Sequence, residues 1–471
     1  MSPEHSKGKA FPVGYDYSFA YFRGFRMSDG FAHSRSALEV LAQAALDHAA
    51  ARGASACEVD VSEGFGHSVS VRRQDVETIE YNRDKGLGVS VYLGQRRGHA
   101  SSSDFSLAAI RSTVDAALSI ARFTADDDCA GLPEERLLAR GAMDLDLFHP
   151  WDISVEAAID IARRCEQAAF DVSPLVKNSE GATVSAQQSH FISANSLGFM
   201  GGFATSRHYV SCSVIAGEGD DMQRDDWYAS RRNAAEFPDP ALIGDYAARR
   251  ALARLGSRKL KTRTCPVIFE APLATGLIGS FVHAVSGGSL YRKTSFLLDS
   301  LGKKIFPDFM NISERPHIRG GVASSPFDDD GVATHDREVV AQGVLQGYFL
   351  STYSGRKLGM PTTGNSGGSH NLLVQSGKHD LRGLLREMGN GLLVTELLGQ
   401  GVNYVTGDYS RGAAGYWIEK GEIAYPVEEI TIAGNLRDMM RGMVDIGNDV
   451  EVRGSKRVGS ILIERMTVAG N

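Results

Sequence analysis

The chain has 471 residues, 42% of them hydrophobic, and a formal net charge of −7. Single cores stop growing at roughly 250 to 300 residues, so this length predicts at least two, and the acidic balance excludes a general nucleic-acid binder, whose footprint is a basic face. Cys57, Cys129, Cys165, Cys212 and Cys265 stand far apart with no Cys-x-x-Cys pair, which excludes a disulfide framework and a zinc finger and points to a reducing cytoplasm. No apolar run reaches the roughly 18 residues of a membrane span, and the N-terminus lacks a basic start followed by an apolar core, so a soluble, unexported protein is expected.

Residues 1–33 carry Phe11, Tyr15, Tyr17, Phe19, Tyr21, Phe22 and Phe25 among glycine and polar residues without a period. They read as a disordered extension, or as sequence before a true start at Met27; an aromatic docking arm is the other reading. From Ser34, Leu38, Leu41, Ala45 and Ala49 recur at three- and four-residue steps and predict a helix. Residues 67–103 alternate in short runs, Val69 with Val71 and Val89 with Val91. Asn82-Arg83-Asp84-Lys85-Gly86 and Gly94-Gln95 carry turn chemistry, which predicts antiparallel hairpins. Ser103 or Asp104 is the expected cap of a second helix whose apolar face is Leu107, Ile110, Val114, Ala117 and Ala121.

From Ser154 the pattern restarts. Val155, Ala158, Ala162, Cys165 and Ala169 share a helical face, strand-like stretches fill 181–215, and Asp239-Pro240 opens another helix. Helix, meander, helix, meander, helix predicts an α+β fold over 34–258, antiparallel sheet with packed helices, and suggests a weak internal duplication. Arg258-Lys259-Leu260-Lys261-Thr262-Arg263 reads as a linker. Beyond it, 266–270 reads as a strand, and 273–285 and 381–388 as helices. Short strands and glycine turns predict a C-terminal β barrel- or sandwich-like domain over 259–471 with a few helices.

Residues 394–435 hold the densest ordered run of glycine, β-branched and aromatic residues: VTELLGQGVNYVTGDYSRGAAGYWIEKGEIAYPVEEITIAGN. Gly399, Gly401, Gly407, Gly412 and Gly415 separate short strand-like pieces, which specifies turns and close backbone approaches. This run, together with Gly86-Leu-Gly-Val-Ser-Val-Tyr92 and Gly287-Gly288-Ser289-Leu290-Tyr291-Arg292-Lys293, resembles the TldD/PmbA family, and within it the PmbA (TldE) branch. The resemblance runs from about residue 35 to the C-terminus.

The resemblance implies a particular chemistry and a particular departure from it. Catalytic members, the TldD branch, carry His-Glu-x-x-x-His on a helix and a later Cys: imidazoles and a thiolate hold Zn²⁺, and the glutamate takes a proton from the bound water. Here, taking His283 as the first ligand puts Ala284 at the base position and Gly288 where another ligand should stand. Aligning on Tyr291-Arg292-Lys293 instead places the ligands near Gly279 and Ala284. Where such chains carry Cys before Gly-Lys, this one reads Val452-Arg453-Gly454-Ser455-Lys456, and an arginine cannot ligate zinc. The resemblance therefore implies no zinc in this chain, with zinc supplied by a TldD-like partner. It also implies a chamber that takes unfolded peptides by strand pairing, with Tyr291, Arg292, Lys293, Glu396, Asp408, Tyr409 and Arg411 as lining candidates. Glycine neighbours would leave the signature side chains exposed; the plainer alternative is an internal Asp408–Arg411 ion pair that fixes a turn.

Other constellations are weaker. Gly364-Asn365-Ser366-Gly367-Gly368 satisfies Gly-x-Ser-x-Gly with His370 and Asp328, Asp329 and Asp330 at hand, but lacks the strand before and helix after that a nucleophile elbow needs. The acidic triplet lacks the ligand spacing of a calcium loop, and His370 and His379 have no acidic base between them. The expectation is a PmbA/TldE-type, non-catalytic subunit of a heterodimeric zinc peptidase, cytoplasmic, with no direct contact to nucleic acid or membrane; whether the isolated chain forms a homodimer is left open by the sequence. A gyrase-modulator label carried by family members finds no DNA-binding surface here. An independent hydrolase using Ser366 or a non-standard metal site, and a peptide-binding scaffold without protease activity, are the alternatives.

Overall fold

A computed structural model describes residues 30–470. The extension expected over 1–33 thus lies outside the described residues up to position 29, and of its last four residues Phe31 and His33 pack. Phe31 stacks on His190 at 3.9 Å between ring centroids, and His33 Nδ1 lies 2.8 Å from Glu63 Oε2.

The N-terminal half repeats one pattern. It runs α1 (Arg35–Ala51), β1 (Ala56–Arg72), β2 (Asp75–Leu93), β3 (Arg96–Ser102) and α2 (Leu107–Phe123). Then come α3 (Val155–Val172), β4 (Val176–Asn195), β5 (Met200–Gly201), β6 (Ala204–Ala216), β7 (Gln223–Arg231) and α4 (Pro240–Ala253). All strands join one seven-stranded antiparallel sheet in the order β3-β2-β1-β4-β6-β7, with β5 on β4, so the two halves meet where β1 pairs β4. Alternation decides which face is covered: Val59, Val61, Val69 and Val71 of β1 all point the same way. There α1 and α2 bury one half and α3 and α4 the other.

Serine and aspartate caps start these helices as their chemistry requires. Ser34, Ser154 and Asp239 accept from the backbone at the N-termini of α1, α3 and α4. The cap of α2 is Ser106 rather than Ser103 or Asp104, and Leu107, expected on the buried face, is 54% exposed. Asp104 instead accepts from Ser106 N, one step before the helix.

A second expectation fails in an informative way. Residues 82–86 lie inside β2, and the chain reverses at Arg73 and Gln74, whose φ values are 51° and 68°. Non-glycine residues occupy that region at a cost, which buried Glu166 of α3 offsets. Its carboxylate accepts from Arg73 N at 2.8 Å and Gln74 N at 2.7 Å. The polar run at 82–86 belongs instead to the stretch of β2 that no strand covers on its outer side, and charge there blunts an open edge.

The C-terminal half begins with β8 (Arg263–Phe269), α5 (Ala271–Ala284) and α6 (Gly287–Tyr291). It continues through β9 (Ile312–Glu314), β10 (Arg337–Ala341), β11 (Val344–Leu345), α7 (Thr352–Leu358), β12 (Leu372–Val374) and α8 (Leu381–Met388). Last come β13 (Gly391–Leu398), β14 (Asp408–Glu419), β15 (Glu422–Asn435), α9 (Leu436–Arg441), β16 (Met443–Ile446), β17 (Lys456–Arg457) and β18 (Ile461–Ala469). A six-stranded sheet, β15-β14-β13-β8-β18-β16, closes on itself through a β15–β18 pairing into a small barrel. A five-stranded sheet, β11-β10-β9-β12-β17, lies beside it. Val267, Phe269, Leu392 and Val394 face α5, whereas Ile268, Leu393 and Leu462 face α8. Each fully buried Phe or Ile in these layers contributes roughly 1.5–3 kcal/mol.

Glu166→Ala is expected to destabilise the N-terminal half by about 3 kcal/mol, because it strips a buried charged acceptor from two partly buried turn amides. A lower urea midpoint, with faster amide exchange at Arg73 and Gln74 than at the middle of β1, checks it.

Candidate functional site

The resemblance would place a zinc site on α5, and the surroundings of that helix decide what it can bind. Pro272 in the first turn suits a helix start, Ala271 N donates to Ser460 Oγ at 3.0 Å, and Ala274, Leu277, Ile278, Phe281 and Ala284 bury one face. The other face carries Gly276, Gly279 and His283. A Cβ on Gly276 would meet nothing within 4 Å, and one on Gly279 only Lys456 Cε at 3.8 Å. Ser280 beside them lies 3.5 Å from the Tyr404 hydroxyl, and Tyr404 packs on His283 at 4.0 Å between centroids. Tyr409 and Arg411 of β14 share the sheet face that looks at α5, as the parity of Tyr409 with buried Ala413 requires. The result is a groove with a bare helical floor, walled by Tyr404 and the start of β14 on one side and by residues 453–456 on the other.

Zinc does not fit this groove. Of the side chains on the outer face of α5, His283 alone is a ligand type. Burial and the nearby Arg292 charge hold its imidazole below the ordinary histidine range, so it is neutral but faces a cation. Lys456, over Gly279, is itself pushed below the usual lysine range by burial. A metal placed here would meet one donor and two positive groups, which is the reverse of a tetrahedral zinc shell.

At its other end the groove reaches a charged cavity of about 200 Å³ between the two halves, lined by Asp225, Trp227, Arg250, Glu270, Glu396 and Arg453 among others. Arg250 binds Glu270 at 2.8 Å and Asp225 at 3.1 Å, and Arg254 binds Glu396 at 2.5 Å. Burial pushes the Glu270 carboxyl above the usual range, and Arg250 pulls it back. Arg453 stands apart from these pairs. Its guanidinium lies 3.6 Å from the Trp227 ring centroid and 4.2 Å from that of Tyr228, a cation–π sandwich, while Nε and one Nη are buried without a partner.

The sequence candidates therefore scatter. His283, Ala284 and Arg453 border the α5 groove or its core, Gly288 begins α6, and Glu396 is spent on an ion pair to Arg254. Tyr409 is 3% exposed, not displayed on the surface, because its ring faces Phe269. The alternative, an internal Asp408–Arg411 ion pair, does not form either. Asp408 accepts from Thr406 Oγ1 at 2.6 Å and from Asn435 Nδ2 at 3.3 Å, so it staples its own turn. Tyr291 packs edge-on against Tyr353, Arg292 donates to its hydroxyl, and Lys293 is exposed in a left-handed turn at φ 57°.

The serine-hydrolase geometry is absent. Ser366 sits in a loop between α7 and β12; its N–H donates to Asp328 Oδ2 at 2.8 Å, and His370 Nε2 lies 3.0 Å from the Gly364 carbonyl rather than at a serine. The acidic triplet is architecture too, since Asp328 also accepts from Asp330 N and Val332 N. Among the described residues, His379, Glu387 and Asp445 form one group of metal-ligand types, with His379 Nδ1 2.9 Å from Asp445 and 3.3 Å from Glu387. They lie beside α8, on the sheet face away from α5. Trp227, Arg250, Glu270, Tyr404 and Lys456 escaped the sequence reading. The spacing of Arg250 and Arg254 beside buried Ala247 and Ala251 was the available signal, since cations next to an apolar helical stripe imply buried partners.

Three family models cover the chain in succession: PmbA/TldA metallopeptidase domain 1 over residues 57–121, the central domain over 148–255 and the C-terminal domain over 262–470. The fold is thus that of a peptidase family, and the chain belongs to the PmbA/TldA metallopeptidases. It is 49% identical over 428 residues to the metalloprotease PmbA homolog of Haemophilus influenzae, covering 91% of this chain and 95% of that one. It is 21% identical over 395 residues to the metalloprotease TldD homolog of the same organism, covering 79% and 81%. A Bacteroides thetaiotaomicron structure named for modulation of DNA gyrase superposes with TM-score 0.87 at 27% identity, over 92% of this chain and 99% of that one. TldE from Thermococcus kodakarensis shares the fold at TM-score 0.78 and 19% identity, over 92% and 99%.

His283 is expected to titrate below the ordinary value of about 6.5, because both burial and Arg292 disfavour its cationic form. Arg292→Gln should raise the midpoint by removing a like charge. NMR titration of the ring proton checks both, and a midpoint unmoved by the substitution would refute the Arg292 contribution.

Proposed function

We infer that this chain is the non-catalytic subunit of a two-chain zinc peptidase that acts on unfolded peptides, and that a TldD-like partner supplies the metal. The α5 groove carries this reading: the helix that should hold zinc presents two glycines and one neutral histidine, opposed by Lys456 and Arg292. Haemophilus influenzae has relatives of both branches, which fits a pair of unlike subunits. In the pair, this chain completes the peptide chamber and restricts it to extended chains, with the tyrosine- and arginine-bearing start of β14 as part of its wall. A cytoplasmic location suits five cysteines that are all free, four of them buried. Among the described residues no helix is long and apolar enough to cross a membrane.

Purified alone and free of tags, the chain is expected to hold almost no zinc by plasma mass spectrometry. Its complex with a TldD-like chain should hold about one per pair. Cleavage of an unfolded protein such as reduced casein should need both chains and survive Ser366→Ala in this one. One zinc per isolated chain, together with cleavage by that chain alone, would sink the reading. His379→Ala would then show whether the cluster beside α8 holds that metal.

A further inference from the structure

The groove over α5 is short of negative charge in a chain that carries an excess of it overall. Among the described residues, Arg411, Arg453 and Lys456 have no carboxylate within ion-pair distance, although Arg453 acts at longer range on Asp226 and Glu270, whereas Arg250 and Arg254 across the adjoining cavity are each paired. The net charge is −7, so unpaired cations gathered beside one helix are not an average of the composition. Helix α5 supplies no compensation: Ala271–Ala284 contains no acidic residue.

Two features suit the groove to a ligand. Gly276 and Gly279 sit inside a helix, where each costs roughly 1 kcal/mol against alanine, yet no neighbour occupies the space a Cβ would take at Gly276 and only a flexible lysine approaches it at Gly279. Packing therefore does not demand glycine, and the open strip lets another backbone lie close to the helix. On the wall, the Tyr409 hydroxyl and the Arg411 guanidinium lie against each other, and the Tyr409 hydroxyl, Arg411 Nε and two nitrogens of Arg453 are buried with no carboxylate or carbonyl acceptor. Tyr409 is 3% exposed, and burial pushes its phenol up to about 12, so it remains a donor at neutral pH. Buried donors without acceptors are costly, and a ligand that brings acceptors removes that cost.

We propose that this groove binds the C-terminal α-carboxylate of an extended peptide, with Lys456 as the principal cation and the bare face of α5 as the floor for the last peptide units. The inference rests on the peptide-handling subunit reading and deepens it. A fixed cation here attracts a carboxylate, so a chain end would be held without being cut. A carboxylate accepts several hydrogen bonds at once, which matches a wall of donors, and a glycine floor suits a main chain better than a bulky head group.

Fluorescence anisotropy on the full chain, with an amino-terminally labelled unstructured octapeptide, tests this. The peptide with a free C-terminal carboxylate is expected to bind at least about tenfold more tightly than its C-terminal amide, a difference of roughly 1.4 kcal/mol. Lys456→Met should bring the two together, and Lys456→Arg should keep the preference; circular dichroism melting of each variant shows whether it is folded. Equal affinity of acid and amide in the wild type, or a preference that persists in folded Lys456→Met, overturns the proposal. Inorganic phosphate forms a further arm: Lys456-dependent phosphate binding without any acid-over-amide preference would assign the groove to a free anion and overturn the peptide end. All of these results leave the zinc-content test standing, so the two readings fail separately.

Discussion

The ion network centred on Arg250 sets the relation of the two halves, and the groove depends on that relation. Arg250 leaves the last turns of α4 and meets Asp225 of β7 and Glu270, the residue before α5, while Arg254 reaches Glu396 in β13. One helix of the N-terminal domain thereby grips the start of α5 and the strand beside it. Charges this deeply placed are costly to desolvate and repay it only when fully paired, so the network tolerates little displacement. It works as a registration device, holding Trp227 where Arg453 can stack on it.

The groove over α5 pairs a bare helical floor with positive charge, the opposite of what a metal shell requires. A hydrolytic zinc needs neutral or anionic donors converging on one point, and the helix, the nearby strands and the following loop are all in place to bring residues together. What they bring is a single imidazole with cations above and beside it. The same geometry that would concentrate negative ligands around a metal instead concentrates positive charge around open space.

Much of the scaffold was legible because it rests on local rules. The helices at 34, 154 and 239 begin at side chains that satisfy free amides, and their apolar spacing follows the helical turn. The meanders between them follow from alternation. The reversal at Arg73 and Gln74 was hidden because its support, Glu166, lies more than ninety positions away in sequence, whereas Asn82 to Gly86 has the composition of a turn without the need for one. The signature at 394–435 was readable as rigid and glycine-bordered. Its side-chain directions were not, since a strand's two faces are equivalent until something packs on one of them. That is why Tyr409 proved buried and Asp408 proved a turn staple.

The sequence by itself determined the α+β character, the main helices and the membership in a peptidase family, because each of these is carried by the kinds of residues present and their spacing along the chain. Only the tertiary structure decided which cations are paired and which are not. Arg250 and Arg453 are the same residue type, in comparable basic surroundings along the chain. One is neutralised by Glu270 and Asp225, and the other lies on a tryptophan with nitrogens unsatisfied. Pairing depends on distances of a few ångströms between segments 20 or more residues apart in sequence, and Coulomb energy in a partly buried site changes steeply over those distances.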